Sequence, residues 1–153
     1  MFGIFKKSPK AYFSAEENDA IVAAIRKAEQ RTSGEVRVYV EGKCKLVNPV
    51  HRAKEIFVKL KMDQTDARNG VLLYLAMEDR QLAVWGDDGI HQRVGDEFWN
   101  KEVAVMISEF HQKHFLEGIV HIIGDIGEAL VTHFPYDATR DKNELPDDIV
   151  FGK

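Results

Sequence analysis

The residues with most chemistry to offer are acidic. Glu35, Asp66, Asn69, Asp87, Asp88 and Asp96 stand in or beside polar, glycine-marked stretches that read as loops. Carboxylates crowded on adjoining loops repel one another unless a positive charge lies between them. A hard divalent cation supplies that charge and takes about six to eight oxygen ligands from side chains and loop carbonyls. Calcium is the expected ion, because irregular loops suit its flexible coordination. Magnesium, with its strict octahedron, is the second choice. A structural account competes with this one: Asp and Asn also cap helices and make Asx turns, and Asp96 is placed to cap the helix that follows it.

Other polar residues are weaker candidates. Arg68, beside Asn69-Gly70, has the fork geometry that grips phosphate, but neutralising the neighbouring acids is the simpler role. His91 lies inside the acidic segment and could act as a general acid near a bound phosphate; a loop histidine with satisfied hydrogen bonds is the plainer reading. His111 and His114 have an i, i+3 spacing that suits zinc on a helix, but no third ligand follows in register, so a surface pair is expected. Ser33 has no evident base. The chain contains no P-loop, no GxGxxG and no GxSxG.

These residues need elements to hold them. Ser14 and Glu17 form a capping box, and Ile21, Val22, Ile25 and Ala28 make the apolar stripe of a helix that ends near Arg31. Residues 35 to 41 alternate, with Val36, Val38 and Val40 on one side, which predicts a strand. A second helix is expected over 50–61, with Ala53, Ile56, Phe57 and Leu60 inward. Residues 71–77 form an apolar run that reads as a strand buried on both faces. Glu78-Asp79-Arg80 links it to a returning strand over 81–85, a connection so short that the pair must be antiparallel. Two helical segments follow, over 95–114 and 117–133, stopped by Pro135. The order predicts an α/β fold, an αβα sandwich with a small mixed β-sheet and helices on both faces.

Topology then sorts the acids. A strand–helix–strand unit makes the first two strands parallel, so Ser33-Gly34-Glu35 and Asn69-Gly70 begin at one edge of the sheet. The hairpin returns Gly86-Asp87-Asp88 to that edge, while Glu41, Glu78 and Asp79 fall at the other.

The bulk numbers exclude some classes. The chain of 153 residues, 44% hydrophobic and 30% charged, suits one folded domain, here 14–135, with an N-terminal arm at 1–13 and an acidic, partly disordered tail at 136–153. A net charge of −4 disfavours a general nucleic-acid binder. The single cysteine, Cys44, rules out an intramolecular disulfide. The apolar start of Met1-Phe-Gly-Ile-Phe-Lys-Lys is too short for a signal-peptide core, and no stretch approaches the ~20 apolar residues of a membrane span. A cytoplasmic monomer with no membrane insertion is expected.

Three segments together resemble a known family. Ser33-Gly34-Glu35-Val36-Arg37-Val38, Thr65-Asp66-Ala67-Arg68-Asn69-Gly70-Val71-Leu72, and Gly86-Asp87-Asp88-Gly89-Ile90-His91-Gln92-Arg93-Val94 with Phe98-Trp99 are similar to the TPM domain family, over residues 14 to 134. The resemblance implies an αβα sandwich and divalent-cation binding, with Asp87 the foremost ligand. Family members include a plant thylakoid-lumen protein with a proposed acid phosphatase activity, bacterial membrane-associated proteins and an animal receptor auxiliary subunit. Two functions are therefore carried forward. One is a cation-binding module whose metal orders the acidic loops for an unknown protein partner. The other is a metal-assisted acid phosphatase acting on phosphomonoesters, with Arg68 or His91 assisting.

Overall fold

The computed structural model describes residues 12–44, 48–111, 114–136 and 149–152. Helix α1 (Ala15–Glu29) is followed by strand β1 (Glu35–Glu41), helix α2 (Pro49–Lys59), strands β2 (Gly70–Ala76) and β3 (Gln81–Gly86), helices α3 (Asp88–His111) and α4 (Phe115–His133), and a short strand β4 (Val150–Phe151). The sheet order is β3-β2-β1-β4, with β1 parallel to both β2 and β4 and β3 antiparallel to β2.

Local chemistry explains the ends. Ser14 Oγ accepts from the Glu17 amide at 3.1 Å and Glu17 Oε1 accepts from the Ser14 amide at 2.9 Å, so both partners of the predicted capping box are present. Asn48 caps α2 by accepting from the Val50 amide at 2.8 Å, and Pro49 supplies a first helical residue that needs no donor.

Alternation along the strands divides the core into two layers. Val36, Val38, Val40, Val71, Leu73, Leu75, Leu82 and Val84 face α1, α3 and α4, meeting Ile21, Ile25, Met106, Ile119 and Ile123. Leu72, Tyr74, Ala76 and Ala83 face the other way, onto Ala53, Ile56 and Phe57 of α2. The sheet is thus sandwiched as expected, three helices on one face and one on the other. Every residue of β2 is buried, which explains its unbroken apolar run.

Three readings of the sequence need correction. The helical stretch expected from 95 begins at Asp88, and only Gly95, with φ 77°, breaks it. An L side chain rarely adopts that backbone conformation, so the glycine marks a joint between two helical segments rather than the end of a loop. The expected pairing of His111 and His114 on one helix fails: α3 ends at His111, and His114 precedes α4 with Nδ1 at 3.4 Å from Glu109 Oε2. The sheet also has a fourth strand, β4, inside the stretch read as a tail, with Ile149 buried beside it. Residues 137–148 and 153 of that tail and 1–11 of the arm lie outside the described residues.

Candidate functional site at the start of the parallel strands

Pairing registers place the predicted residues. Glu35 lies opposite Gly70, and Val71 opposite Gly86, so the starts of β1 and β2 and the end of β3 meet at one edge. The Asp87 amide donates to the Gly70 carbonyl at 2.9 Å, and the Glu35 amide to that of Asn69 at 3.4 Å. Glu35, Asn69 and Asp87 are all buried there, while Asp66 is exposed on the preceding turn.

Asp87 is the centre of the arrangement. It is 3% exposed, and Arg68 grips both carboxylate oxygens, Nε to Oδ2 at 2.7 Å and Nη2 to Oδ1 at 2.8 Å. The Asp88 amide also donates to Oδ1 at 2.8 Å, and the Asp87 carbonyl accepts from His91 N–H at 2.8 Å, so the residue opens α3 as well. Asp88 is exposed, its Oδ2 3.7 Å from Arg68 Nη2. The bond to Asp87, then its charge and those of Asp88 and Asp63, hold the guanidinium more firmly protonated than usual.

The loop bearing Arg68 is shaped for this contact. Arg68 has φ 52°, in the left-handed region, and its carbonyl accepts from the Gly89 amide at 2.8 Å. A Cβ at Gly89 would fall 2.5 Å from the Arg68 carbonyl oxygen and nearer still to that of Ala67. Only glycine lets α3 begin so close to the loop. Asn69 closes the turn, its amide donating to Thr65 Oγ1 at 3.3 Å.

Asn69 is 1% exposed. Its Nδ2 donates to Ser33 Oγ at 3.2 Å, but the buried Oδ1 has no hydrogen-bond partner. A buried carbonyl oxygen without a donor is costly and needs an explanation.

His91 and Asp96 stand one turn further along. The Trp99 indole donates to His91 Nδ1 at 3.0 Å, and His91 Nε2 lies 3.3 Å from Asp96 Oδ1. An indole donor on Nδ1 requires that nitrogen to be an acceptor, so the ring proton sits on Nε2, facing Asp96. Asp96 is thus a partner of His91, not a member of the group around Arg68.

This fold and this edge have known counterparts. A profile of the TPM domain matches residues 7–129. The chain belongs to the TPM domain family. Among solved structures, this TPM domain is similar to the BA42 protein of the psychrophilic bacterium Bizionia argentinensis, with 42% identity over 92% of this chain and 96% of that one, and a TM-score of 0.83. Two more distant structures share the fold: the N-terminal domain of the cg2496 protein from Corynebacterium glutamicum, at 15% identity and TM-score 0.63, and that of a P. gingivalis protein, at 14% and 0.66. Each covers 82% of both chains. None of the curated proteins matches.

The opposite edge of this TPM domain holds a feature that sequence reasoning missed. Glu41 is buried, and Arg52 of α2 grips it with Nε and Nη2, both at 2.9 Å. Tyr74 O–H donates to Glu41, and Arg52 also donates to Glu55. Burial first, then the Glu41 carboxylate, push the Tyr74 phenol far above its usual range. The signal was in the alternation of β1, which places Glu41 on the same side as Tyr39, toward α2.

Whether the first edge suits a divalent cation turns on its donor set. Among the described residues, no three His, Cys, Asp or Glu side chains converge as a cluster. The oxygens on offer are the Asp87 and Asp88 carboxylates, the unpartnered Asn69 Oδ1 and loop carbonyls, a hard-oxygen set of the kind calcium accepts. Arg68 covers Asp87, so the fit requires Arg68 to leave. Its side chain is 47% exposed, so its charge would be solvated on leaving.

Proposed function

We propose that this TPM domain is a divalent-cation-binding module in which Arg68 and the cation compete for Asp87. The observation that carries the reading is Asn69 Oδ1, a buried oxygen without a donor, one residue from the Gly70 carbonyl that holds the Asp87 amide. Asp87, Asp88 and Asn69 would hold the ion; Glu35 is buried at the same edge and Asp66 exposed on the preceding turn, while Asp96 stays with His91. Calcium suits this set better than magnesium, because a turn and a helix start cannot impose a strict octahedron. When bound, the ion supplies the positive charge that Arg68 otherwise supplies.

The consequence lies with Arg68. Released from Asp87, its guanidinium turns to solvent, where it can take a carboxylate or phosphate of a partner two-pronged. Cation binding thereby exchanges an internal ion pair for an exposed cationic group, a local change that a partner protein can read.

A phosphatase is the second reading, since the released Arg68 could equally hold a phosphomonoester. The proton donor considered for it is engaged elsewhere: His91 points its N–H at Asp96 and receives the indole N–H of Trp99. The experiment is calorimetric titration of metal-stripped protein with calcium, for the wild type, Asp87→Asn and Asp79→Asn. Loss in Asp87→Asn with retention in Asp79→Asn, at the other edge, is the expected result. Equal affinity in all three would overturn the reading. Turnover of a phosphomonoester that needs both calcium and Arg68 would favour the enzyme over the module.

A further inference from the structure

A second acidic site lies away from this edge, where α3 packs on α4. Glu102 of α3 is 8% exposed and lines the same cleft as Asp125 of α4. Burial first, then Asp125, raise the Glu102 carboxyl to about 7, with Lys101 pulling weakly the other way. Below that pH the pair therefore shares one proton. Glu102 Oε1 is buried and receives no hydrogen bond.

The pair opens on a cleft of about 520 Å³ whose walls include Arg93, Val94, Phe98, Glu128, Thr132 and His133. Several of the other polar groups there are committed elsewhere. Arg93 donates to the Gly89 carbonyl at 2.7 Å and lies over the Phe134 ring, Glu128 pairs with Arg31 at 3.0 Å, and Thr132 donates to the Glu128 carbonyl. Asp125 Oδ2 faces His121 Nε2 at 3.2 Å. What lacks a partner is an acceptor on an acidic pair, next to apolar side chains. Among the described residues no three His, Cys, Asp or Glu side chains converge here as a divalent-cation site would require. An ammonium group, with three N–H donors and one charge, matches the pair, and Val94 and Phe98 match a short alkyl chain.

We propose that the α3–α4 cleft binds a small organic ammonium ion, a primary amine on a short alkyl chain, with its N–H donors on Glu102 Oε1 and the Asp125 carboxylate. The ammonium takes the place of the shared proton. Binding therefore strengthens from pH 6 to pH 8, as that proton becomes easier to release. His121, His133, Lys101, Arg93 and Glu128 also face the cleft or the pair, so the pH effect must be read against a variant that removes the pair alone.

The test is an amide NMR titration of the full chain with n-butylammonium chloride, without divalent cations. Saturable shifts within 93–102 and 121–133, at least about tenfold weaker affinity in both Glu102→Gln and Asp125→Asn, and tighter binding at pH 8 than at pH 6 are expected. Sodium butyrate, with the same chain and opposite charge, should produce no shifts. No saturable shift by about 10 mM butylammonium, an equal response to butyrate, or binding that both variants retain would overturn the proposal. Saturation of the same residues by magnesium chloride, blocking butylammonium, would overturn the choice of an organic cation. Folding of each variant is checked by its spectrum, and shifts at 65–70 and 86–91 would report the other site.

Discussion

Arg68 lies across both carboxylate oxygens of Asp87, at 2.7 and 2.8 Å, with the aspartate buried and the arginine half in solvent. At the other edge Arg52 makes the same two-pronged contact with Glu41, but there both side chains are buried. One geometry in two settings suggests two roles. The buried pair is a fixture of the fold, because freeing either partner strands a charge in the core. The Arg68 pair can open at the surface.

Arg68→Gln separates the pair from the cation. Asp87 then keeps its charge in a buried place with fewer donors, and the apo protein should melt at a lower temperature. Calcium should restore the loss, since anything that binds only the folded state stabilises it. Thermal melts with and without calcium check this. A Tm equally depressed in both conditions would contradict the competition.

Gly89→Ala should damage the same site through the backbone. The new Cβ meets the carbonyls of Ala67 and Arg68, so the loop must move off α3, at a cost of about 1–3 kcal/mol. Cation affinity should drop even though no ligand is removed. Denaturant titration and calorimetry measure the two effects.

Glu41→Ala should be among the most destabilising single changes, at about 3–5 kcal/mol, because it strips buried Arg52 of its two-pronged partner and leaves only the exposed Glu55. Chemical unfolding tests it, and Glu41→Ala combined with Arg52→Met should recover part of the loss. Calcium affinity of the folded fraction should not change.

The Glu102 carboxyl predicts a pH dependence of stability. Its folded value, about 7, lies above the ordinary 4.5, so between these two the native state holds a proton that the unfolded chain has released. Stability should fall as pH rises through that window and then level off. Glu102→Gln should remove this slope and be relatively more stable at pH 8. Parallel pH dependence in wild type and variant would contradict the assignment.

Much of this was legible in the chain. The capping box at Ser14, the alternation of Val36, Val38 and Val40, and the apolar run of β2 fixed the elements, because each is a local signal. The parallel relation of β1 and β2 then brought Glu35, Asn69 and Asp87 to one edge. What escaped depends on long-range contacts. Arg52 is not part of the apolar stripe of α2, and its burial follows only from Glu41 lying opposite it. Glu102 and Asp125 lie on different helices, with nothing local to join them. Gly89 stood in a stretch that read as a loop, although it permits a close approach at the start of α3, and Gly95 marks a joint that no local pattern announces. A two-residue strand such as β4 carries too little pattern to be recognised.

The central claim is the exchange of Arg68 for a cation at Asp87, and the most direct measurement follows the Arg68 Nε–H signal in ¹H–¹⁵N spectra during a calcium titration. The account predicts that this signal leaves its hydrogen-bonded position in step with amide shifts at 68–70 and 86–91, saturating by about 10 mM calcium. Saturable binding that leaves the Arg68 signal unmoved, or no binding at that concentration, would contradict it.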